Sequence, residues 1–143
     1  MSLTHDVIIR IFEYLPLSQI WELQYLSKSL GKLMREYKWN KTFNFKKDIT
    51  DDELIEIIKN WNINKLDLSF CKQITNKSVK KLINIQKLSI HHCNNITYDS
   101  IKKLKMLKKI VFDNQLNINN LYKLNNNGVR IIQYDIFGWH LLR

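Results

Sequence analysis

Residues 66–75 read LDLSFCKQIT and residues 88–97 read LSIHHCNNIT, the same phrase repeated 22 positions apart. Apolar residues hold matched places in both, each contains one cysteine, and each ends in Ile-Thr (Ile74-Thr75 and Ile96-Thr97). A fixed period of this length marks an array in which each unit is one supersecondary element stacked on its neighbours. Extended along the chain, the period puts Ile63, Ile85, Leu107 and Val129 in one column. Leu66, Leu88, Ile110 and Ile132 form a second, and Leu68, Ile90, Phe112 and Tyr134 a third. All twelve positions are apolar in a chain that is 45% hydrophobic. Independent draws would produce that about once in ten thousand tries, so the repeat is real.

Within a unit, Leu66-x-Leu68, Leu88-x-Ile90 and Ile110-x-Phe112 alternate with period two, which predicts short strands with these residues facing inward. The apolar pair three apart, as in Ile63 and Leu66, suits one face of a short helix. Thr75 and Thr97 are placed to cap the helix that follows each strand. Cys71 and Cys93 occupy one inward column, where a small, weakly polar thiol fills a tight turn. Lys65, Asp67, Ser69, Lys87, Ser89, His91, Lys109, Val111 and Asp113 fall on the opposite face, followed by Ile131, Gln133 and Asp135. That face carries a ladder of lysines, Lys65, Lys87 and Lys109, and is the expected partner-binding surface. Lys80, Lys81, Lys102 and Lys103 fall on the outer face of the helices as solubilising charge.

A looser copy begins at Phe43-x-Phe45 and continues through Ile49 to a capping box, Thr50-x-x-Glu53. Leu54, Ile57, Ile58 and Trp61 then form a buried helical stripe. The array is therefore expected over 43–143, with about four units. Its third unit has Gln115 in place of the cysteine, its last starts at Val129, and Ile136-Phe137-Gly138-Trp139 is expected to cap the open end from about residue 136. Residues 1–42 read differently. Val7, Ile8, Ile11, Phe12 and Leu15 share a helical stripe, and Pro16 ends it. Ser18 is placed to cap a second helix with Ile20 and Leu23, and Leu26, Leu30, Leu33, Met34 and Tyr37 mark a third. By periodicity alone this module is as well read as a helical cap on the array.

The units LxxLxLxxCxxIT resemble the cysteine-containing subtype of the leucine-rich repeat. The first helices, through Ile11-Phe12-x-Tyr14-Leu15-Pro16, then Leu23, Leu26, Lys28 and Trp39, resemble an F-box. Thr4 stands where that family has proline and Ser27 where it has cysteine. Together these resemblances imply an α/β (α+β) fold, a three-helix F-box-like module followed by a short right-handed leucine-rich-repeat solenoid of parallel strands. The F-box resemblance implies docking on the Skp-type adaptor of a cullin-RING ubiquitin ligase, with Leu3, Val7, Ile8, Phe12, Leu15, Pro16 and Leu23 as apolar anchors. The repeat face would hold an unidentified protein substrate.

Composition narrows the alternatives. The net charge is +10, distributed as +4 over 1–47, −4 over 48–60 and +10 over 61–143. Yet 19 of the 23 basic residues are lysine. Recognition of phosphates and bases draws on arginine forks and aromatic platforms, so the pattern argues against nucleic acid. The chain has no Gly-rich phosphate loop, GxSxG, HExxH or CxxC, and its histidines are scattered in sequence, which predicts a non-catalytic protein without a cofactor. A zinc site built from Cys71, His91, His92 and Cys93 is disfavoured, because the cysteines face inward, His91 alternates away from them, and spacing does not place His92. The absence of a long apolar run predicts no membrane span, and two cysteines without a secretory pattern predict reduced thiols in the cytoplasm or nucleus.

Overall fold

A computed structural model of the chain describes residues 4–113, 116, 118–135 and 138–142, with backbone only at Ser18, Ile118, Asn119, Tyr134, Asp135 and 138–142. Helix α1 (His5–Tyr14) ends where Leu15 turns extended ahead of Pro16, as a residue before proline is pushed to do. Helix α2 (Leu17–Leu23) starts from Pro16 itself, whose carbonyl accepts from the backbone N–H groups of Gln19 and Ile20. Ser18 thus lies inside the helix instead of capping it, because the proline ring already supplies a φ of −66° suited to helix entry. Helix α3 (Lys28–Glu36) is capped by Ser27, whose hydroxyl accepts from Leu30 N–H at 3.1 Å.

Strand β1 (Phe43–Asn44) and helix α4 (Asp51–Asn60) open the repeated part. The Thr50–Glu53 capping box is formed, with Leu54 fully buried. Then come β2 (Lys65–Asp67), α5 (Asn76–Val79), β3 (Lys87–Ser89), α6 (Tyr98–Ile101), β4 (Lys109–Phe112), α7 (Ile118–Asn125), β5 (Arg130–Asp135) and β6 (Gly138–Leu142). The strands form a six-stranded sheet in sequence order. Strands β1 to β5 are parallel, and β6 runs antiparallel along β5. The chain is therefore a mixed α/β structure built on a parallel sheet. Parallel neighbours require a crossover, and here a turn and a short helix supply it in every unit. Ile136 and Phe137 of the expected cap lie outside the described residues, while the backbone of Gly138 and Trp139 belongs to β6, which covers the edge that β5 would expose.

The register of the middle strands follows the period: Leu66 pairs with Leu88 and Leu88 with Ile110. The last unit departs from it. Ile110 pairs with Ile131, not Ile132, so this coil is one residue shorter. Its connection differs from the two before it, with an eight-residue α7 followed by Gly128 at φ +80° where those units have four-residue helices. A one-residue slip exchanges the two faces of a strand. Ile131, expected to face outward, is in the core, and Ile132, expected inward, is half-buried. The apolar pair three apart also forms no helix. Ile63 makes an isolated bridge to Trp39 and the Ile85 N–H donates back to Leu82 O at 3.1 Å, because three residues leading straight into a strand close no helical hydrogen bond.

One hydrophobic cluster runs from Phe12 through Met34, Trp39 and Phe43 to Leu124 and Ile131. Leu66, Leu68, Cys71, Leu88, Ile90, Cys93, Ile110 and Phe112 are all buried in it. The helices and the array share this core. Trp39 stacks on Trp61, and the ammonium of Lys41 donates to the carbonyls of Phe12, Glu13 and Leu15 at 3.1, 3.1 and 2.5 Å, satisfying the end of α1.

Polar side chains link successive units on the helical side. Asp51 accepts from Thr75 N–H at 2.9 Å and from the Thr75 and Ser78 hydroxyls at 2.6 and 2.5 Å. One unit later, Asn76 accepts from Thr97 N–H at 2.9 Å and donates to the Thr97 hydroxyl at 3.0 Å. The N-terminal N–H groups of a short helix have few partners of their own; each of these coils borrows one from the coil before. Thr75 also caps its own helix, accepting from Lys77 N–H at 3.1 Å, whereas Thr97 makes no side-chain cap bond.

Candidate functional site

Two surfaces separate from the core. On the outer face of the sheet, Lys65 pairs with Lys87, Lys87 with Lys109 and Lys109 with Arg130. The lysine ladder thus gains a fourth cation, Arg130, which the strict 22-residue alignment hid behind Ile131; a search allowing a 21-residue unit would have found it. Like charges opposite one another in a sheet repel, and Lys109 is held below the ordinary lysine range, first by burial and then by Lys87 and Arg130. Lys65 is anchored to the carbonyl and side-chain oxygens of Asn40 at 2.8 and 2.7 Å. Beside the ladder, Asp67 accepts from Ser69 N–H at 2.9 Å, and the Ser69 and Ser89 hydroxyls are 2.8 Å apart.

Two residues expected on this face are not available to a partner. Val111 is only 7% exposed. It is flanked by Ser89 and by Ile132, which the register slip brings to the outer face, so two apolar side chains stand side by side there. His91 is buried, with the edge of Phe70 against it at 5.3 Å and the His92 ring at 4.0 Å. Its imidazole is pushed below its ordinary range by burial and then by His92, against the pull of Asp113 and Asp67. Asp113 lies one unit beyond His91 in the same column, with His92 turned back toward it. The Nδ1 atoms of His91 and His92 are 3.4 and 3.0 Å from Asp113 Oδ2.

Cys71 and Cys93 point the other way. Cys93 Sγ donates to Leu68 O at 2.9 Å and Cys71 Sγ to Lys46 O at 3.5 Å. Burial pushes their thiols up to about 12 and about 11 respectively, so both are held as neutral thiols, far from the thiolate range of a cysteine nucleophile.

The second surface lies on the N-terminal helices. Among the expected anchors, Phe12 is core, packed toward Trp39 at 6.4 Å, and is withdrawn from any partner. Ile8, Leu15 and Leu23 are half-buried against the core, Val7 and Pro16 are exposed, and Leu3 lies outside the described residues. The apolar stripe of α1 is thus wider than one buried face. Phe12 turns inward, while Val7, Ile11 and Tyr14, at i, i+4 and i+7, are 42, 46 and 90% exposed. Tyr25 and Leu26, after α2, are also largely exposed. Periodicity could not divide these residues, because it registers apolar character without saying what covers it.

Among the described residues no helix is long and apolar enough to cross a membrane. The sequence matches no protein-family model and no curated protein.

Proposed function

We propose that the chain is a non-catalytic substrate-recognition adaptor of a cullin-RING ubiquitin ligase. Residues 1–42 act as an F-box that docks the Skp-type adaptor, and residues 43–143 are leucine-rich repeats whose strand face holds the protein to be ubiquitinated. The observation that carries this reading is the row Val7, Ile11 and Tyr14 on α1. An exposed apolar row on one helix face suits a protein contact. The cation ladder supports the second half: Lys65, Lys87, Lys109 and Arg130 repel one another, and an acidic segment of a substrate relieves that repulsion. Joining the two surfaces raises the concentration of substrate lysines near the ligase without any chemistry by this chain.

The test is copurification with the Skp-type adaptor. Wild type should capture it, and a Val7→Asp/Ile11→Asp double variant with unchanged circular dichroism should not. If wild type fails where an established F-box protein succeeds, the ligase reading is lost.

A second reading makes residues 1–42 only the cap of a stand-alone repeat module, including one with a basic nucleic-acid surface. The shared Trp39–Trp61 core favours it, since a cap must fuse with the array it covers. Under this reading the double variant keeps its partner binding, whereas Lys87→Glu and Lys109→Glu weaken it.

A further inference from the structure

Where β3 and β4 leave the sheet, their turns bring two imidazoles and a carboxylate together. The ligand atoms of His91, His92 and Asp113 all lie within 4.8 Å of one another. Both Nδ1 atoms converge on one oxygen, Asp113 Oδ2, at 3.4 and 3.0 Å. A four-coordinate ion with bonds of about 2.0 to 2.1 Å needs ligand-to-ligand edges of about 3.3 Å. The two edges to Asp113, 3.4 and 3.0 Å, lie within about 0.3 Å of that length.

The backbone holds this arrangement in place. His92 takes a left-handed φ of +56°, repeating Phe70 at +67° one unit earlier. That conformation aims the His92 N–H at Asp113 Oδ2, 2.9 Å away, while the ring of the same residue folds back on the same oxygen. Phe70 packs against both imidazoles, at 5.3 and 4.9 Å, and fixes their orientation. The side chains of His91 and Asp113 are 11 and 13% exposed, that of His92 54%, so the group is recessed with one open side. A metal could enter there and keep a water or an outside ligand.

We propose that His91, His92 and Asp113 bind a borderline divalent cation of the zinc class, the fourth position being taken by water. Two imidazole nitrogens and one carboxylate oxygen suit Zn²⁺, Co²⁺, Ni²⁺ or Cu²⁺, whereas Mg²⁺ and Ca²⁺ take oxygen-rich sets. The ion ties one unit to the next, His91 and His92 on one side and Asp113 on the other. It replaces the direct His–Asp contacts by bonds to the metal. This site is independent of the ligase reading and of the apolar row on α1.

The test uses the full chain stripped of metal and titrated with Co²⁺ alone. Wild type should develop the intense visible d–d absorption of a near-tetrahedral ion, saturate at one equivalent, and lose the band on addition of Zn²⁺. His92→Asn, chosen because asparagine tolerates left-handed backbone, and Asp113→Asn should each weaken binding by about tenfold or more. His5→Ala should leave it unchanged. At equal Zn²⁺ the melting temperature of wild type and of His5→Ala should rise more than that of the other two variants, whose metal-free melting curves report their folding separately. Absence of saturable one-to-one binding overturns the proposal, as does binding that His92→Asn and Asp113→Asn leave intact.

Discussion

Trp39, the last aromatic of the helical module, stacks on Trp61, the residue that ends α4, with ring centroids 5.7 Å apart and planes 21° apart. Each indole also uses its N–H: Trp39 donates to Met34 O and Trp61 to the Gln24 side chain, both at 3.2 Å. Trp21 also meets Trp61 at 5.4 Å and Trp39 meets Phe43 at 5.5 Å, so two parts of different secondary-structure character are joined by a largely buried, hydrogen-bonded aromatic cluster.

A consequence is cooperative unfolding. Trp39→Ala should cost about 3 to 5 kcal/mol and lower the urea midpoint of the whole chain. Helical circular dichroism and the summed tryptophan fluorescence should move in one coincident transition. Two separated transitions in wild type would show that the helices and the array fold as independent units.

The slipped register makes a sharper prediction at two adjacent isoleucines. Ile131→Ala removes a core side chain and should cost about 2 to 5 kcal/mol, whereas Ile132→Ala, on the half-buried outer face, should cost about 1 kcal/mol. Chemical denaturation of both variants decides it. The reverse order would restore the 22-residue register to the last unit.

Asp51 ties the first coil to the second, and its charge has a readable pH signature. Burial pushes its carboxyl up, but hydrogen bonds from Ser78 and Thr75 outweigh this and hold it below the ordinary range. A carboxylate depressed in the folded state stabilises above its unfolded pKa of about 3.9, and that stability is lost as pH falls through the folded value. Asp51→Asn should therefore destabilise by about 1 to 2 kcal/mol near neutral pH, and the gap to wild type should narrow below about pH 4. A gap that stays constant down to pH 2 would remove the charge from the explanation.

The two thiols should be inert in the native state. With Cys71 and Cys93 pushed up to about 11 and about 12 by burial, iodoacetamide at pH 8 should label neither until denaturant is added. Native labelling at a rate near that of free cysteine would mean that the turns open readily.

Much of this architecture was legible in the chain because a repeat states its register many times over. Leu66, Leu88 and Ile110 could be placed side by side from spacing alone, as could the lysines that alternate with them, and the structure pairs them so. Side-chain alternation in a strand is a local rule, and local rules can be read from sequence. The capping box at Thr50 and Glu53 was legible for the same reason.

What spacing left open was decided by contacts across units. Whether an apolar residue of α1 is core, like Phe12, or surface, like Ile11, depends on where Trp39 arrives from elsewhere in the chain. The slip at Ile131 depends on how α7 and Gly128 shorten one connection, which no count of apolar columns includes. His91 and Asp113 shared a column from the start, yet the return of His92 to the same carboxylate needs a left-handed turn that the one-dimensional pattern does not encode. Periodicity records which face a residue belongs to, and only the packed chain determines what lies opposite that face.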